Sequence, residues 1–362
     1  MKVAIIGGGF AGLTLASLIS KHQKESKLVI FERLPKVGKK IKIAGNNRCN
    51  LTNLNISSKN YRSTLFYNYI KDIDVISYLK SLGLKLRFYG DLVYPYSEKG
   101  EHVLEMFLNS ISAKIIHEEV ISINGKTNEL VTTKTNYHFD YIIIATGSRS
   151  YFDTDASLNL IEKLNLDYLP FVPTLGPIKT LEKLSELDGV RVKAEAKVYD
   201  MKFSGEVLFK KDGLSGIMIF DLSRYLKLGD KIMLDLIPEF QEKDFKDEES
   251  ILGLFIKPLR EEIMKRSKST SKTPGTIMKN FTFTVCELPN FKNSQVSIGG
   301  IKEEEVLPSF SLKIYNRIFA IGEVNNQDGM CGGYNAHFAI ASAIKCYNSI
   351  YGKKLFIKGE NK

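Results

Sequence analysis

The stretch VAIIGGGFAGLTLASLIS, Val3 to Ser20, decides the fold. It begins with a short apolar run, Val3–Ile6, which predicts a buried strand, and the glycine-rich turn Gly7–Gly12 follows. Leu13–Ser20 then opens a helix, and KLVIFER, Lys27–Arg33, predicts a second buried strand. Together these segments predict a βαβ unit.

The turn carries the spacing Gly7-x-Gly9-x-x-Gly12, and Glu32 ends the second strand. The first glycine allows the tight turn, the second lets a pyrophosphate approach the backbone, and the third lets helix and strand pack closely. Free N–H groups at the helix N-terminus attract phosphate. Glu32 would accept hydrogen bonds from an adenosine ribose, which disfavours a 2′-phosphorylated ligand. The pattern predicts dinucleotide binding, against the alternative of a merely tight strand–helix turn.

Two later segments indicate which dinucleotide binds. YIIIATGS, Tyr141–Ser148, and IFAIGEVNN, Ile318–Asn326, each place an apolar strand before a glycine turn. They resemble the downstream FAD motifs of glutathione-reductase-like flavoproteins, with Glu323 where an Asp is usual. A helix beginning near Tyr334 would stabilise the anionic reduced flavin with its N-terminal dipole. FAD is therefore the expected cofactor, and NAD(P)H would be a transient electron donor because the insert shows no second GxGxxG.

The middle of the chain differs in character. We expect an α/β dinucleotide-binding domain made from residues 1–174 and 295–362, interrupted by an inserted domain at 175–294. The insert is β-rich at 175–240, indicating a small barrel or sandwich, and helical in pattern at 241–280, where SKSTSKTPGT suggests a linker or exposed loop. Three β-rich runs before Gly147 suggest an antiparallel meander that returns to a buried strand.

Composition narrows the possible partners. A net charge of +10 suits an anionic partner, although a lysine-rich source genome would give the same excess. The cysteines Cys49, Cys286, Cys331 and Cys346 are far apart, which indicates a reducing cytoplasm and no metal site. The apolar start is interrupted by three consecutive glycines, so we predict neither a signal peptide nor a membrane span.

The segment GKKIKIAGNNRCNLTN, Gly38–Asn53, is the most specific signature in the chain. With LVYPYSEKGEHVLEMF, GEVLFKKDGLSG, VSIGG and FAIGEVNNQDGMCGGYNAHFA in that order, it resembles the BaiN/RdsA (YhiN-like) family of FAD-dependent NAD(P)/FAD oxidoreductases. The resemblance covers nearly the whole chain. It implies a glutathione-reductase-like, Rossmann-like FAD-binding domain with an inserted β-barrel and helical subdomain.

Residues from all these motifs are candidates for cofactor contact. In the opening loop, Lys40 and Arg48 would neutralise the pyrophosphate, Gly45 would allow close approach, and Asn50 and Asn53 would bond loop backbone or flavin carbonyls. A solvated basic loop is the alternative. The complete cofactor-binding prediction is Gly7, Gly9, Gly12, Glu32, Lys40, Gly45, Arg48, Asn50, Thr146, Gly147, Gly322, Glu323, Gly333, Tyr334, Asn335 and Ala336.

Catalysis needs a proton as well as a hydride. Reduction of a C=C bond conjugated to a carbonyl takes a hydride on one carbon and a proton on the other, and a cysteine near the flavin could supply that proton. Cys49 is the first candidate and Cys331 the second, against the alternative that both are packing residues. Tyr94, Tyr96 and Tyr334 are other possible donors.

The resemblance implies two substrate classes, bile-acid enones and a uridine of 23S ribosomal RNA. The net positive charge favours the RNA, so the leading prediction is reduction of uridine to dihydrouridine with NAD(P)H. A small-molecule ene reductase or oxidase is the alternative, and a non-catalytic flavin-containing RNA-binding factor is a third. The basic run Lys257–Lys279 is either a solvated face or the RNA-binding surface.

Overall fold

The protein, seen in a computed structural model, is described for residues 1–151 and 154–359. The chain divides into two compact units, Met1–Val172 with Val296–Lys362, and Pro173–Gln295. That these units are separate domains, with the boundaries expected at 174/175 and 294/295, stays a prediction.

A six-stranded sheet forms the centre of the first unit. Its strands, in spatial order, are β19 (Ser311–Leu312), β20 (Tyr315–Ala320), β10 (Tyr141–Ile144), β1 (Lys2–Ile6), β2 (Lys27–Phe31) and β6 (Lys114–Ile116). All neighbours are parallel except β19 and β20, which are antiparallel. The central strands are apolar runs because both faces of a parallel sheet are covered.

Helices pack around this sheet. They are α1 (Phe10–His22), α2 (Lys39–Ile43), α3 (Thr64–Ile70), α4 (Val75–Ser81), α5 (Gly100–Asn109), α6 (Ala156–Lys163) and α10 (Tyr334–Tyr351). α1 begins three residues before the predicted Leu13, because Gly9 occupies the N-cap position directly after the turn. α10 begins at the predicted Tyr334.

Three small sheets complete the first unit. They are β3 (Thr52–Asn53) with β5 (Leu92–Pro95) and β4 (Leu86–Tyr89), β7 (Val120–Asn124) with β8 (Glu129–Thr132) and β9 (Asn136–His138), and β11 (Tyr168–Thr174) with β18 (Val296–Ile301). The predicted meander is β7-β8-β9, and β10 is the buried strand that follows. The first β-rich run divides in two, because Ile115 and Ile116 of β6 pair with β2 of the main sheet.

The second unit contains a closed barrel. Its strands, in order, are β12 (Ile178–Thr180), β15 (Gly213–Ser215), β14 (Met201–Lys210), β13 (Arg191–Val198), β16 (Lys231–Asp235) and β17 (Phe281–Glu287). β13 alternates buried and exposed residues, as a barrel wall requires, and Phe209, Phe281 and Phe283 fill the interior. Its helices are α7 (Ile217–Ser223), α8 (Lys257–Thr270) and α9 (Pro274–Lys279).

Single 3₁₀ turns lie at Ser58–Asn60, Ser185–Leu187, Glu242–Asp244, Glu249–Ile251, Glu303–Glu305 and Gly322–Val324. The architecture is therefore the predicted one, an α/β Rossmann-like fold with a β-barrel and helices. None of the helices among the described residues is both long and apolar enough to cross a bilayer.

Two local predictions in the second unit hold only in part. SKSTSKTPGT, predicted to be a linker or exposed loop, is exposed from Lys268 to Thr273, but α8 continues to Thr270, Thr273 caps α9 by accepting a hydrogen bond from the Thr276 N–H, and Pro274 is buried. The helical pattern expected from residue 241 becomes an α-helix only at Lys257. Before it, Asp247 and Ser250 bond each other's backbone N–H groups, which competes with helical bonding.

Candidate functional site

The β1–α1 turn brings strand and helix too close for any side chain at Gly12. A Cβ there would lie 2.0 Å from the Gly7 carbonyl oxygen, so only glycine allows this packing. At Gly9, by contrast, a Cβ would meet nothing within 4 Å. The N-terminus of α1 therefore faces open space beside Gly9, as a phosphate-binding turn requires.

Glu32 lies at the end of β2 and contacts the same turn. One carboxylate oxygen accepts a hydrogen bond from the Gly8 N–H at 3.0 Å, and the other accepts one from the Leu34 N–H at 2.9 Å. An ionised carboxylate has about four acceptor positions, so both oxygens retain capacity for a ribose hydroxyl.

A cluster of three polar side chains joins three separate motifs. The Lys40 ammonium, from α2, donates to Glu323 at 2.9 Å and to Ser148 at 3.2 Å, and the Ser148 hydroxyl donates to Glu323 at 3.2 Å. Lys40 and Glu323 are mostly buried. Because an ammonium has three donors, Lys40 can still bind one further acceptor. The structure thus brings together Lys40 and Glu323, both predicted site residues, with Ser148, which was not predicted.

The loop from Ala44 to Asn53 has an unusual backbone. Gly45, Asn46, Asn47 and Cys49 all have positive φ, between 54° and 68°. Asparagine tolerates this region better than most residues, so Asn46 and Asn47 suit a tightly wound loop. The Cys49 N–H closes the loop by donating to the Ala44 carbonyl at 2.9 Å.

The Cys49 side chain is fully buried in this loop. Burial disfavours the thiolate and raises the pKa of the thiol to about 12. Cys49 therefore holds its proton at neutral pH, whereas a nucleophilic cysteine needs a lowered pKa. Cys331, the second candidate, is only partly buried.

The same loop lies against the first turn of α10. A Cβ at Gly333, whose φ is +93°, would come within 2.6 Å of the Thr52 carbonyl oxygen and 2.7 Å of Asn50 Oδ1. Thr52 Oγ1 and His337 Nδ1 share a hydrogen bond of 2.7 Å. Burial lowers the pKa of His337 to about 3, so this imidazole is neutral.

Two buried oxygens at the site have no hydrogen-bond partner within the described chain: Asn50 Oδ1 and Thr146 Oγ1. An unsatisfied buried polar group costs about 1–3 kcal/mol, so these atoms are suited to N–H or O–H donors of a bound molecule. A Cβ at Gly147, directly after Thr146, would meet nothing within 4 Å. Open space and unsatisfied acceptors at these motif positions fit an FAD molecule.

The remaining predicted residues lie in the first turn of α10 and in the 3₁₀ turn Gly322–Val324. Asn335 accepts a hydrogen bond from the Gly329 N–H at 2.7 Å and donates to the Gly329 carbonyl at 2.9 Å, so its amide holds the turn. Tyr334 is buried, and its carbonyl accepts a hydrogen bond from the Tyr61 hydroxyl at 3.0 Å. Gly322 begins the 3₁₀ turn that carries Glu323, and Ala336 is partly exposed on α10.

Arg48 has a different environment. Its guanidinium is half-exposed, forms an ion pair with Glu98, and lies 4.8 Å from the ring centre of Tyr94 and 5.3 Å from that of Tyr89. In the structure, Arg48 therefore contacts the β4–β5 hairpin. Its contact with a pyrophosphate stays a prediction.

The basic run Lys257–Lys279 is partly neutralised by its own surroundings. Lys257 pairs with Glu261, and Lys265 and Arg266 both pair with Glu262. The Arg266 guanidinium also lies 3.9 Å from the ring centre of Phe281, and Lys279 pairs with Asp235. These pairs favour the interpretation of a solvated face. No group of three His, Cys, Asp or Glu side chains that could hold a metal ion occurs within residues 1–151 and 154–359.

Ser148, Thr52 and His337 are the site residues that sequence reasoning missed. Ser148 directly follows the Ala-Thr-Gly motif, and His337 lies one turn into α10 on the face that includes Gly333, so their positions in the motifs were available signals.

Comparison with known proteins agrees with these features. The chain matches the family model described as "HI0933-like protein Rossmann domain" over residues 1–349. It is 25% identical to a 3-dehydro-bile acid delta(4,6)-reductase of Clostridium scindens, over 94% of this chain and 97% of that protein. It is 24% identical to a ribosomal RNA dihydrouridine synthase of Haemophilus influenzae, over 96% of this chain and 97% of that protein. Among solved structures, an open-conformation flavocytochrome c3 fumarate reductase matches with a TM-score of 0.44 at 14% identity, over 96% of this chain and 77% of that one.

Proposed function

The chain belongs to the HI0933-like family of FAD-dependent oxidoreductases, and from that premise we propose that it reduces a uridine of 23S ribosomal RNA to dihydrouridine, with NAD(P)H as the electron source. The observation that supports RNA over a steroid-like substrate is the net charge of +10, because a polyanion is attracted by such an excess and an apolar substrate is not. Family membership makes the protein an enzyme, so the non-catalytic alternative is set aside. An rRNA substrate implies a cytoplasmic enzyme.

The proposed reaction needs one hydride and one proton. The C5=C6 bond of uracil is conjugated to the C4 carbonyl, so the hydride goes to C6 and the proton to C5. FAD, when bound and reduced by NAD(P)H, would supply the hydride. The chain supplies positive charge through Lys40 and N–H groups at the start of α10, both of which stabilise negative charge at the site.

Cys49 is the first candidate for the proton donor, because it lies in the loop Ala44–Asn53 that contacts the start of α10 and its thiol carries a proton at neutral pH. We expect Cys49→Ala to retain FAD and lose most RNA reduction, whereas Cys286→Ala, a change at an exposed cysteine of the second unit, keeps full activity. An active, FAD-loaded Cys49→Ala variant would transfer the role to Cys331, and Cys331→Ala is the corresponding test.

The deciding experiment is a gene deletion in the source organism. Dihydrouridine in purified 23S rRNA is measured by nucleoside mass spectrometry in the wild type, the deletion strain, and the deletion strain carrying the gene on a plasmid. Loss of the nucleoside and its restoration support the proposal. An unchanged level in the deletion strain would contradict it.

Reduction of a small conjugated enone is the second candidate, and the bile-acid reductase relative favours it. The two functions differ in their response to salt. RNA reduction should weaken steeply as salt rises, since counterions released from phosphates drive RNA binding, whereas enone reduction should change little. NAD(P)H oxidation by the purified enzyme, measured with each substrate over a salt series, separates them.

A further inference from the structure

The β4–β5 hairpin carries an unusual surface of aromatic and basic side chains. We call it the hairpin face, and it consists of Arg87, Tyr89 and Tyr96 with Arg48 of the neighbouring loop, all on one side of the hairpin. Tyr89 and Tyr96 are 44% and 61% exposed. Exposed aromatic residues clustered on one short hairpin mark an interaction surface more often than scattered single ones do.

The arginines of the hairpin face are held over aromatic rings. The Arg87 guanidinium lies 4.2 Å from the ring centre of Tyr96 and donates to the Tyr89 hydroxyl at 3.4 Å. Arg48 lies over Tyr89 from the other side. Glu98 pairs with both arginines and fixes them in place. The guanidinium planes and the rings therefore form a preorganised stacking surface.

Charge favours an anionic partner for this surface. Exposed Lys85 and Lys99 flank the two arginines, and the carboxylates of Asp91 and Glu98 are fewer than these cations. Glu98 is already committed to both arginines, which reduces its repulsion of a phosphate. A surface of exposed rings with excess positive charge matches single-stranded RNA, whose bases stack on rings and whose phosphates bind cations.

The hairpin is also hydrogen-bonded to the candidate site. β5 pairs with β3, so Val93 lies opposite Thr52, and the Leu51 N–H donates to the Val93 carbonyl at 2.8 Å. Asn53 in turn donates to the Gly332 carbonyl at 3.0 Å, directly before α10. Nucleotides bound on the hairpin face would thus lie next to the loop that carries Cys49.

We infer that the hairpin face binds the unpaired nucleotides that flank the reduced uridine, with bases stacked on Tyr89 and Tyr96 and phosphates near Arg87. This inference rests on the proposed function and names the surface that would deliver its substrate. The surface is separate from the run Lys257–Lys279, several of whose cations are paired with carboxylates.

The first test measures binding of a fluorescein-labelled, uridine-containing single-stranded oligoribonucleotide by fluorescence anisotropy, with FAD-loaded protein. Tyr89→Ala combined with Tyr96→Ala should weaken binding about tenfold or more, because each stacked base contributes about 1–3 kcal/mol. Arg87→Ala should weaken binding and lower its salt dependence. The control is Tyr199→Ala, a change at a 56% exposed tyrosine of the second unit, which should leave binding unchanged.

FAD absorbance and NAD(P)H-driven flavin reduction must match the wild type in every variant, which shows that the site is intact. Equal binding by the Tyr89→Ala/Tyr96→Ala variant and the Tyr199→Ala control would overturn the inference. Rescue of the deletion strain separates this failure from that of the proposed function. If the double variant restores dihydrouridine as well as the wild-type gene does, the hairpin face does not bind the RNA. If the deletion does not lower dihydrouridine at all, the proposed function is contradicted.

Discussion

The two ends of the candidate FAD site are built differently. The β1–α1 turn uses residues a few positions apart, and its geometry depends on backbone approach at Gly12. The loop Ala44–Asn53 is closed locally by the Cys49 N–H and the Ala44 carbonyl, but its position against α10 depends on Thr52 and His337, which are separated by 285 positions. The first end is therefore encoded locally, whereas the second exists only once the chain has folded.

This difference predicts distinct responses to substitution. A change in the turn acts through sterics between one strand and one helix. A change in the loop or in the start of α10 disturbs two distant segments together and leaves buried polar atoms, such as Asn50 Oδ1, in a new environment. Substitutions at each end test the contrast.

The largest effect is expected at Gly12. In Gly12→Ala the new methyl carbon would overlap the Gly7 carbonyl oxygen, so we expect the protein to lose about 3 kcal/mol of stability or not to fold. The matched change is Gly9→Ala, where a methyl meets open space and costs less than about 1 kcal/mol as a poorer N-cap. Urea unfolding of the FAD-free proteins measures both.

Gly9→Ala should nevertheless weaken FAD binding, because its methyl group occupies the space beside the N-terminus of α1. An FAD titration followed by flavin fluorescence measures this loss. The two glycines would then be separable, one required for folding and the other for the cofactor. Full FAD affinity in Gly9→Ala would refute the assignment of this turn to the pyrophosphate.

At the second end, Gly333→Ala should cost about 2–3 kcal/mol. It combines a left-handed backbone with a methyl group 2.6 Å from the Thr52 carbonyl oxygen. Gly352→Ala at the C-terminus of the same helix is the control: its φ is also positive, +60°, but a methyl there meets nothing within 4 Å. The control should cost only about 1 kcal/mol. Equal urea midpoints for the two variants would show that the loop is not in close contact with α10 at Gly333.

His337 predicts a pH dependence of stability at this second end. Its pKa is about 3 in the folded protein and near 6.5 when unfolded, so the unfolded state binds the proton more tightly. Stability therefore falls as pH drops below about 6.5, by about 2 kcal/mol between pH 7 and pH 5. His337→Gln has no titrating imidazole, and its unfolding free energy should decline less over this interval. Parallel pH profiles for variant and wild type would contradict the buried, neutral imidazole.

The sequence was sufficient for the local parts of this molecule. The sequence predicts strands β1 and β2, the glycine-rich turn after β1 and the start of α10. Each of these is determined by periodicity and glycine position within one segment. The Lys40–Ser148–Glu323 cluster could not be predicted, since it depends on which strand ends meet in the sheet. The pairing of Arg48 with Glu98 could not be predicted either, because a run of charged residues does not show which cations are neutralised by their neighbours.

The smallest effect on stability is expected at Lys40. Its ion pair with Glu323 is mostly buried, but the Ser148 hydroxyl still donates to the carboxylate, so Lys40→Met should lower the unfolding free energy by only about 1 kcal/mol. FAD affinity should fall about tenfold, because one cation is lost and the Glu323 carboxylate no longer has its partner. Lys42→Met, in the same helix but paired with exposed Glu101, should change neither quantity. Adding Glu323→Gln to Lys40→Met removes the unpaired charge and should recover part of the FAD affinity, which an FAD titration measures. If no affinity is recovered, the Lys40 ammonium acts on the cofactor directly and not by neutralising Glu323.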